Sequence, residues 1–163
     1  MAHSKPFIPT NFKVPDTLQN EHFRIRMLSV NDVVKDYDAV MSSIEHLKAT
    51  YPTSSWPSKD FTFEQNLIDL GWHQKEFQMR SSFAYTIVNI DENQVLGCIY
   101  INPTTKGDYN ASITMWVRAS EVGNGLDTIL FDSVKKWISE EWSFKKVAYP
   151  GREISWEQWG IMK

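Results

Sequence analysis

A single cysteine, no long apolar run and no block of basic residues mark this 163-residue sequence, and each scarcity removes a class of protein. Cys98 has no partner for an internal disulfide, and within the apolar run VLGCIYI burial as a small hydrophobe is its common fate, which fits a reducing compartment. No window of about 18 apolar residues occurs, and the start MAHSKPFIPTNFKVP has no apolar signal core. A membrane partner is therefore not expected, and the chain reads as cytoplasmic. The 17 Lys and Arg against 20 Asp and Glu are spread along the chain for a net charge of -3. Nucleic acid is a poor partner for such a surface, because neutralising phosphates needs a concentrated basic face.

What is present reads as one folded domain. Hydrophobic residues make up 42% and charged residues 23%, enough apolar material for one core, with an aromatic share of 13% to fill it or to line a cleft. Residues 1–20 hold Pro6, Pro9 and Pro15 and read as an extended arm, leaving 21–163 as a single domain. Phe23, Ile25 and Met27 alternate with Arg24 and Arg26, as a half-buried strand requires. From Ser29 the spacing turns helical through Val33, Val34, Tyr37, Val40, Met41 and Ile44, with Ser29 or Asn31 as cap. After the Pro- and Ser-rich loop TYPTSSWPSKDF a second helix is predicted, capped by Thr62 and presenting Phe63, Leu67, Leu70 and Phe77 on one face.

The period then changes to that of strands. SFAYTIVNI, QVLGCIYINP and DYNASITMWVR are joined by short turn-like connections and predict an antiparallel meander. Leu126, Ile129, Leu130, Val134, Trp137 and Ile138 mark an amphipathic helix, and FKKVAYP a last strand that the helical crossover places parallel to its predecessor. The element order β-α-α-β-β-β-α-β gives an α/β domain of the α+β type, with a mixed, mostly antiparallel sheet flanked by helices. GREISWEQWGIMK adds a turn or two of helix.

The stretch VRASEVGNGLDTILF places Gly123 and Gly125 where a strand passes into a helix. Free amides and the helix dipole favour an anion there. Asn124 as a cap with Asp127 in the first turn explains the same residues without a ligand. In order and spacing the stretch resembles the acyl-CoA motif of the GNAT superfamily of N-acetyltransferases, Val-x-Pro-x-x-(Arg/Gln)-Gly-x-Gly-x-(Gly/Ala). Val117 stands at its start, Gly123 and Gly125 at its glycines, and Leu130 and Phe131 at the leucine pair that follows; EHFRIRMLSVNDVVKDYDAV looks like the family's first strand and helix. Three positions depart from the motif. Ala119 replaces proline, Val122 brings no side-chain donor, and Asp127 stands where Gly or Ala is usual.

The resemblance implies a GNAT-like fold and acetyl transfer from acetyl-CoA to a primary amine of a small molecule or protein, with no metal expected. It places the thioester at Thr114 to Val117 and the pyrophosphate on the backbone of Gly123, Asn124, Gly125 and Leu126. Trp116, Val117, Arg118, Val122 and Asp127 complete the expected cofactor contacts, and Arg152 is a further candidate for an anionic group. Tyr149 is the candidate acid for the leaving thiolate, or else packs beside Pro150. Glu76 or His73 is the candidate base, or else part of a solvated helix face. Cys98 and Tyr100 are read as one facing the core and one lining the acceptor cleft, and Trp56, Trp72 and Trp116 either fill the core or wall that cleft. The resembled family usually carries further strands after the last one here, so the arm or a second subunit, as in a homodimer, is expected to cover the sheet edge. Val122, Asp127 and the short end keep a second reading open, a non-catalytic ligand-binding or interaction module on the same scaffold.

Overall fold

The computed structural model describes residues 5–163. Six strands form one sheet in the order β1 (Thr17–Gln19), β2 (Arg24–Met27), β3 (Phe83–Val88), β4 (Val95–Pro103), β5 (Ala111–Val117) and β6 (Val147–Ala148). Every neighbouring pair is antiparallel except β5 and β6, which run parallel across a helical crossover. The mixed, mostly antiparallel sheet flanked by helices is the one the sequence pattern implied. The arm contributes a strand of its own: β1 pairs along β2, and ahead of it Ile8 is buried in the core and Phe7 stacks on Phe144 at 5.2 Å between ring centroids.

The predicted first helix is two helices. Ser29 and Asp32 form a reciprocal capping box over the 3-10 turn Val30–Asp32, which leads into α1 (Val33–Met41). The chain leaves helical geometry at Ser43 and resumes as α2 (Ile44–Thr50). Ser43 accepts the Ala119 amide on its hydroxyl at 2.9 Å, so the break anchors the loop that follows β5. Then come α3 (Phe63–Gln78), capped by Thr62 and Gln65 in the same reciprocal way, the single turn α4 (Ala119–Val122), α5 (Leu126–Glu141) and α6 (Trp156–Ile161).

Strand alternation sends side chains to two cores. Ile113, Met115 and Val117 of β5 join Leu130, Val134 and Trp137 of α5 on one face of the sheet. Trp116 joins Val40, Leu47 and Leu70 of α1, α2 and α3 on the other. Rings dominate the α5 face: Trp137 meets Tyr85 edge-on at 5.0 Å, and Trp142 meets Phe83 at 5.3 Å. Each such buried ring stabilises the fold by roughly 1.5–3 kcal/mol through area removed from water. Among the described residues no helix is long and apolar enough to cross a membrane.

Gly97 of β4 pairs with Val117, and the two strands approach so closely there that a Cβ on Gly97 would stand 1.9 Å from the Trp116 carbonyl oxygen. That atom is backbone in a buried strand and has no room to give. Gly97→Ala is therefore expected to destabilise the fold by about 3 kcal/mol or more, read as a lower urea midpoint. An unchanged midpoint would mean that β5 does not press on β4 at this rung.

Candidate active site

β6 shares two rungs with β5, Ala111 with Val147 and Ser112 with Ala148, and then leaves it. The parting follows from the sequence. Pro150 has no amide to extend a ladder, and the Tyr149 carbonyl accepts the amides of Arg152 and Glu153 at 3.1 and 3.0 Å in a tight turn. From Thr114 onward β5 therefore faces a gap of about 270 Å³, lined among others by Tyr51, Met115, Val122, Asp127 and Arg152. Arg152 bridges the gap. Its two terminal nitrogens donate to the two Asp127 oxygens at 2.9 and 2.8 Å, and one of them also reaches the Met115 carbonyl at 3.3 Å. The acid that departs from the family motif is thus paired by a guanidinium, and its charge at the helix mouth is offset.

Gly125 caps α5 at φ 75°, a left-handed geometry that favours glycine, and α5 has no side-chain cap. Gly123 is different. Its φ of -65° suits any residue, but nothing lies within 4 Å of a Cβ built on it, so its missing side chain leaves open space beside the helix entrance. The amides of Asn124 and Gly125 are engaged within the turn, on the carbonyls of Glu121 and Val122 at 3.1 Å each. The helix mouth proper is formed by Leu126, Asp127 and Thr128.

Several expected contacts lie elsewhere. Arg118 is buried and turned toward α1, donating to the Val95 carbonyl at 3.1 Å, to Asp38 at 3.1 Å and to Ser42 at 3.3 Å. A guanidinium so engaged clamps α1 to the sheet and is not offered to an anion at the mouth of α5. Trp116 and Val117 are fully buried on opposite faces of β5. Tyr149 does not open onto the gap: it is 5% exposed and meets Phe131 of α5 edge-on at 5.3 Å, because the strand alternation that sends Ala148 one way sends Tyr149 into the α5 core. Cys98 is buried in the core at 1% exposure, and Tyr100 is only partly buried and lines a cavity on the same side of the sheet. Two residues apart on β4, they share one face.

On that face lies a second cavity of about 410 Å³, between α1, α3, β4 and the loop after α2. Tyr100 and Thr114 line its strand side, Tyr51 and Trp56 one wall, and Asp36, Asn66, Asp69 and His73 its helical side. Asp36 is 3% exposed, accepts Asn66 Nδ2 at 2.9 Å, and takes the Cys98 thiol at 3.6 Å. Burial pushes its carboxyl up to about 6 against the relief of the Asn66 bond. Burial likewise lowers the His73 imidazole, opposed by Glu76 and Asp69, which keeps it neutral near pH 7. The imidazole lies 5.2 Å from the Tyr100 ring. Glu76 does not line the cavity, since its carboxylate turns to the Ser82 hydroxyl at 2.7 Å. Of the tryptophans, Trp56 walls the cavity and Trp72 is 56% exposed.

Tyr51 and Thr114 line both cavities, so the two spaces adjoin there. The Tyr51 hydroxyl is buried without a hydrogen-bond partner, and its ring is held by Trp56 and Trp156, each 6.1 Å away between centroids. Asp36, Asn66, Asp69 and Tyr51 were not singled out in the sequence. A signal was there: Asp36 sits on the apolar stripe between Val33 and Val40, and Asn66 between Phe63 and Leu70, polar residues at buried helical positions.

No protein-family model and no curated protein matches the chain by sequence. Solved structures match it by fold. Mycobacterium smegmatis RimJ in complex with CoA-disulfide aligns over 83% of this chain and 67% of its own, at 16% identity and TM-score 0.68. The ribosomal-protein-S5-alanine acetyltransferase from Vibrio fischeri aligns over 76% and 67%, at 17% identity and TM-score 0.61. The microcin C7 self-immunity acetyltransferase MccE, in complex with acetyl-CoA and AMP, aligns over 80% and 69%, at 14% identity and TM-score 0.63. The chain spans about two thirds of the length of each. With its mixed six-stranded sheet, parted final strands and glycine turn into α5, it has the GNAT acetyltransferase fold.

Proposed function

We propose that the chain is an acyl-CoA-dependent N-acetyltransferase, with the acyl donor in the gap between β5 and β6 and a primary amine in the larger cavity. The observation that carries this reading is the meeting of the two cavities at Tyr51 and Thr114, beside strand backbone that β6 leaves unpaired. Two fold relatives support it, since the RimJ structure holds a CoA disulfide and the MccE structure acetyl-CoA. The space beside Gly123 is unobstructed, and the amides at the mouth of α5 together with Arg152 are the donors an anion would meet there. Bound acetyl-CoA would supply the activated acetyl group.

The remaining chemistry falls to the chain's own residues. His73, neutral and facing the cavity, takes the proton from the attacking amine; Glu76, held by Ser82, tunes it from outside. Tyr51 gives a proton to the departing sulfur in place of Tyr149. Its hydroxyl lies beside Thr114 with no partner at full hydrogen-bond geometry among the described residues, and burial raises it above the ordinary phenol, so that it is protonated at neutral pH. A second reading, a ligand-binding module without turnover, is favoured by one contact: Arg152 already occupies the Met115 carbonyl and the Asp127 carboxylate inside the gap.

Acetyl-CoA is expected to raise the melting temperature, since a ligand selective for the folded state stabilises it by mass action. Gly123→Leu should abolish that shift and leave the ligand-free melting temperature unchanged, because the space around Gly123 is empty. A full response in that variant would place the donor elsewhere. In a thiol-release assay Tyr51→Phe should lower kcat by about 100-fold, and Tyr149→Phe should leave it near the parent value. The reverse order would restore Tyr149 as the acid. The acidic limb of kcat should lie below about pH 6.5, the ordinary imidazole value, because lowering the His73 pKa extends the active base form to lower pH. His73→Gln should remove that limb, and a limb that survives in it would assign the base to another group.

A further inference from the structure

The acceptor cavity carries an unbalanced charge. Asp36 and Asp69 line it, and among the described residues no Lys or Arg does. The arginines nearest in the network are engaged: Arg26 with Asp32 and Glu92, Arg118 with Asp38. What faces Asp36 from the packed elements is a further acid, Asp32, on its own turn; Asn66 and Asp69 on α3; and the Cys98 thiol and Tyr100 phenol on β4. His73, on the same face of α3, is held neutral by burial. One amide bond and one weak thiol contact are little compensation for a carboxylate that is 3% exposed. A buried charge of this kind is normally paired or neutralised.

The walls favour a cation as the missing partner. Tyr51, Trp56 and Tyr100 present rings to the same space in which Tyr51 has its unpartnered hydroxyl. Aromatic faces attract ammonium groups, the more so when water is excluded. A monoamine cannot serve both tasks, because the nitrogen that attacks must lose its proton to His73 and with it the charge that would compensate Asp36. A second ammonium group on the same molecule does serve. The volume of about 410 Å³ lies in the range of small-molecule sites and suits a short aliphatic chain between the two nitrogens.

We propose that this cavity binds a small aliphatic diamine, one ammonium group held by Asp36 among the rings of Tyr51, Trp56 and Tyr100, the other nitrogen presented to His73. The inference rests on the transferase reading only for the fate of the second nitrogen; the binding claim stands on the cavity itself. The reaction balances without a further reagent: the ammonium nitrogen gives one proton to His73, which passes it to solvent, the N–C bond forms as the C–S bond breaks, the sulfur leaves as a thiol with the Tyr51 proton, and the second nitrogen proton restores the Tyr51 phenol.

The test is calorimetric titration of the full chain at pH 8, without acetyl-CoA, against diaminobutane, butylamine and aminobutyrate. Diaminobutane is expected to bind about tenfold tighter than butylamine or better, and aminobutyrate not at all, because its carboxylate meets Asp36 and Asp69. Asp36→Asn should erase the preference for the diamine. Should that variant fold poorly, Trp56→Ala provides a second probe at a half-buried loop position and should weaken diaminobutane more than butylamine. Equal affinities in the parent protein, a preference that survives Asp36→Asn, or tighter binding of a peptide amino terminus than of the diamine would overturn the proposal. Diamine binding without a thermal response to acetyl-CoA would sink the transferase reading alone. A response to acetyl-CoA without a diamine preference would sink this one alone.

Discussion

β5 and β6 share two rungs and then separate, and the arrangement of the site depends on that short pairing. A sheet normally satisfies every strand amide and carbonyl with a neighbour. Here the parallel pair is stopped early by Pro150 and the turn on the Tyr149 carbonyl, so the second half of β5 faces a gap. Three side chains tie the segments around the gap to the rest of the fold. Ser43, at the break between α1 and α2, holds the Ala119 amide, Arg118 ties the end of β5 to α1, and Arg152 crosses from the carboxy-terminal segment to Met115 and Asp127. Breaking the first helix in two thus supplies an anchor that one continuous helix would not.

The second face of the sheet shows a related trade. α1 and α3 could have buried unbroken apolar stripes against β4. Instead the stripes carry Asp36 and Asn66 at positions where hydrophobic residues would add stability, and the space between helices and sheet stays a cavity. A buried carboxylate paired only to an amide costs stability relative to a packed aliphatic side chain. Polar residues that break a stripe at the rim of a cavity are better explained by ligand recognition than by folding. The α5 face holds no such exception among its buried positions: Leu126, Leu130, Val134, Trp137 and Ile138 form a wholly apolar stripe.

This contrast also explains what could be read from the sequence. Strands β2 to β5, the α5 helix and the parallel crossover follow from period alone, because each buries a regular apolar pattern. The glycine turn was legible as a hinge, the point where the chain passes into α5. β1 was not, since three residues in a proline-containing arm carry too short a pattern. Leu67 was expected on the buried face of α3 and is 40% exposed, because the face turned inward is the one through Asn66, Leu70 and His73. Tyr149 was misplaced by proximity to the turn, when its parity along β6 directs it to the α5 core. Arg118 looked available from its position beside the motif, and its partners on α1 are about 80 residues away in the chain, beyond any local pattern. A separation of 25 residues likewise hid the pairing of Asp127 with Arg152.

That pairing bears on how the two cavities divide their ligands. At the mouth of α5 the acid of the first helical turn is favoured by the helix dipole and offset by Arg152, which leaves the gap without a net repulsion toward an anion. Across Tyr51 the larger cavity is anionic, lined by Asp36 and Asp69 with no cation. Two adjoining spaces of different charge suit the two ligands proposed above: a phosphate-bearing donor is disfavoured beside the buried carboxylates, and an ammonium group gains less beside a guanidinium. The shared residues, Tyr51 and Thr114, are both uncharged, so the point where the two ligands would meet repels neither. Under the proposed function, Coulomb interaction then favours each ligand on its own side of Tyr51.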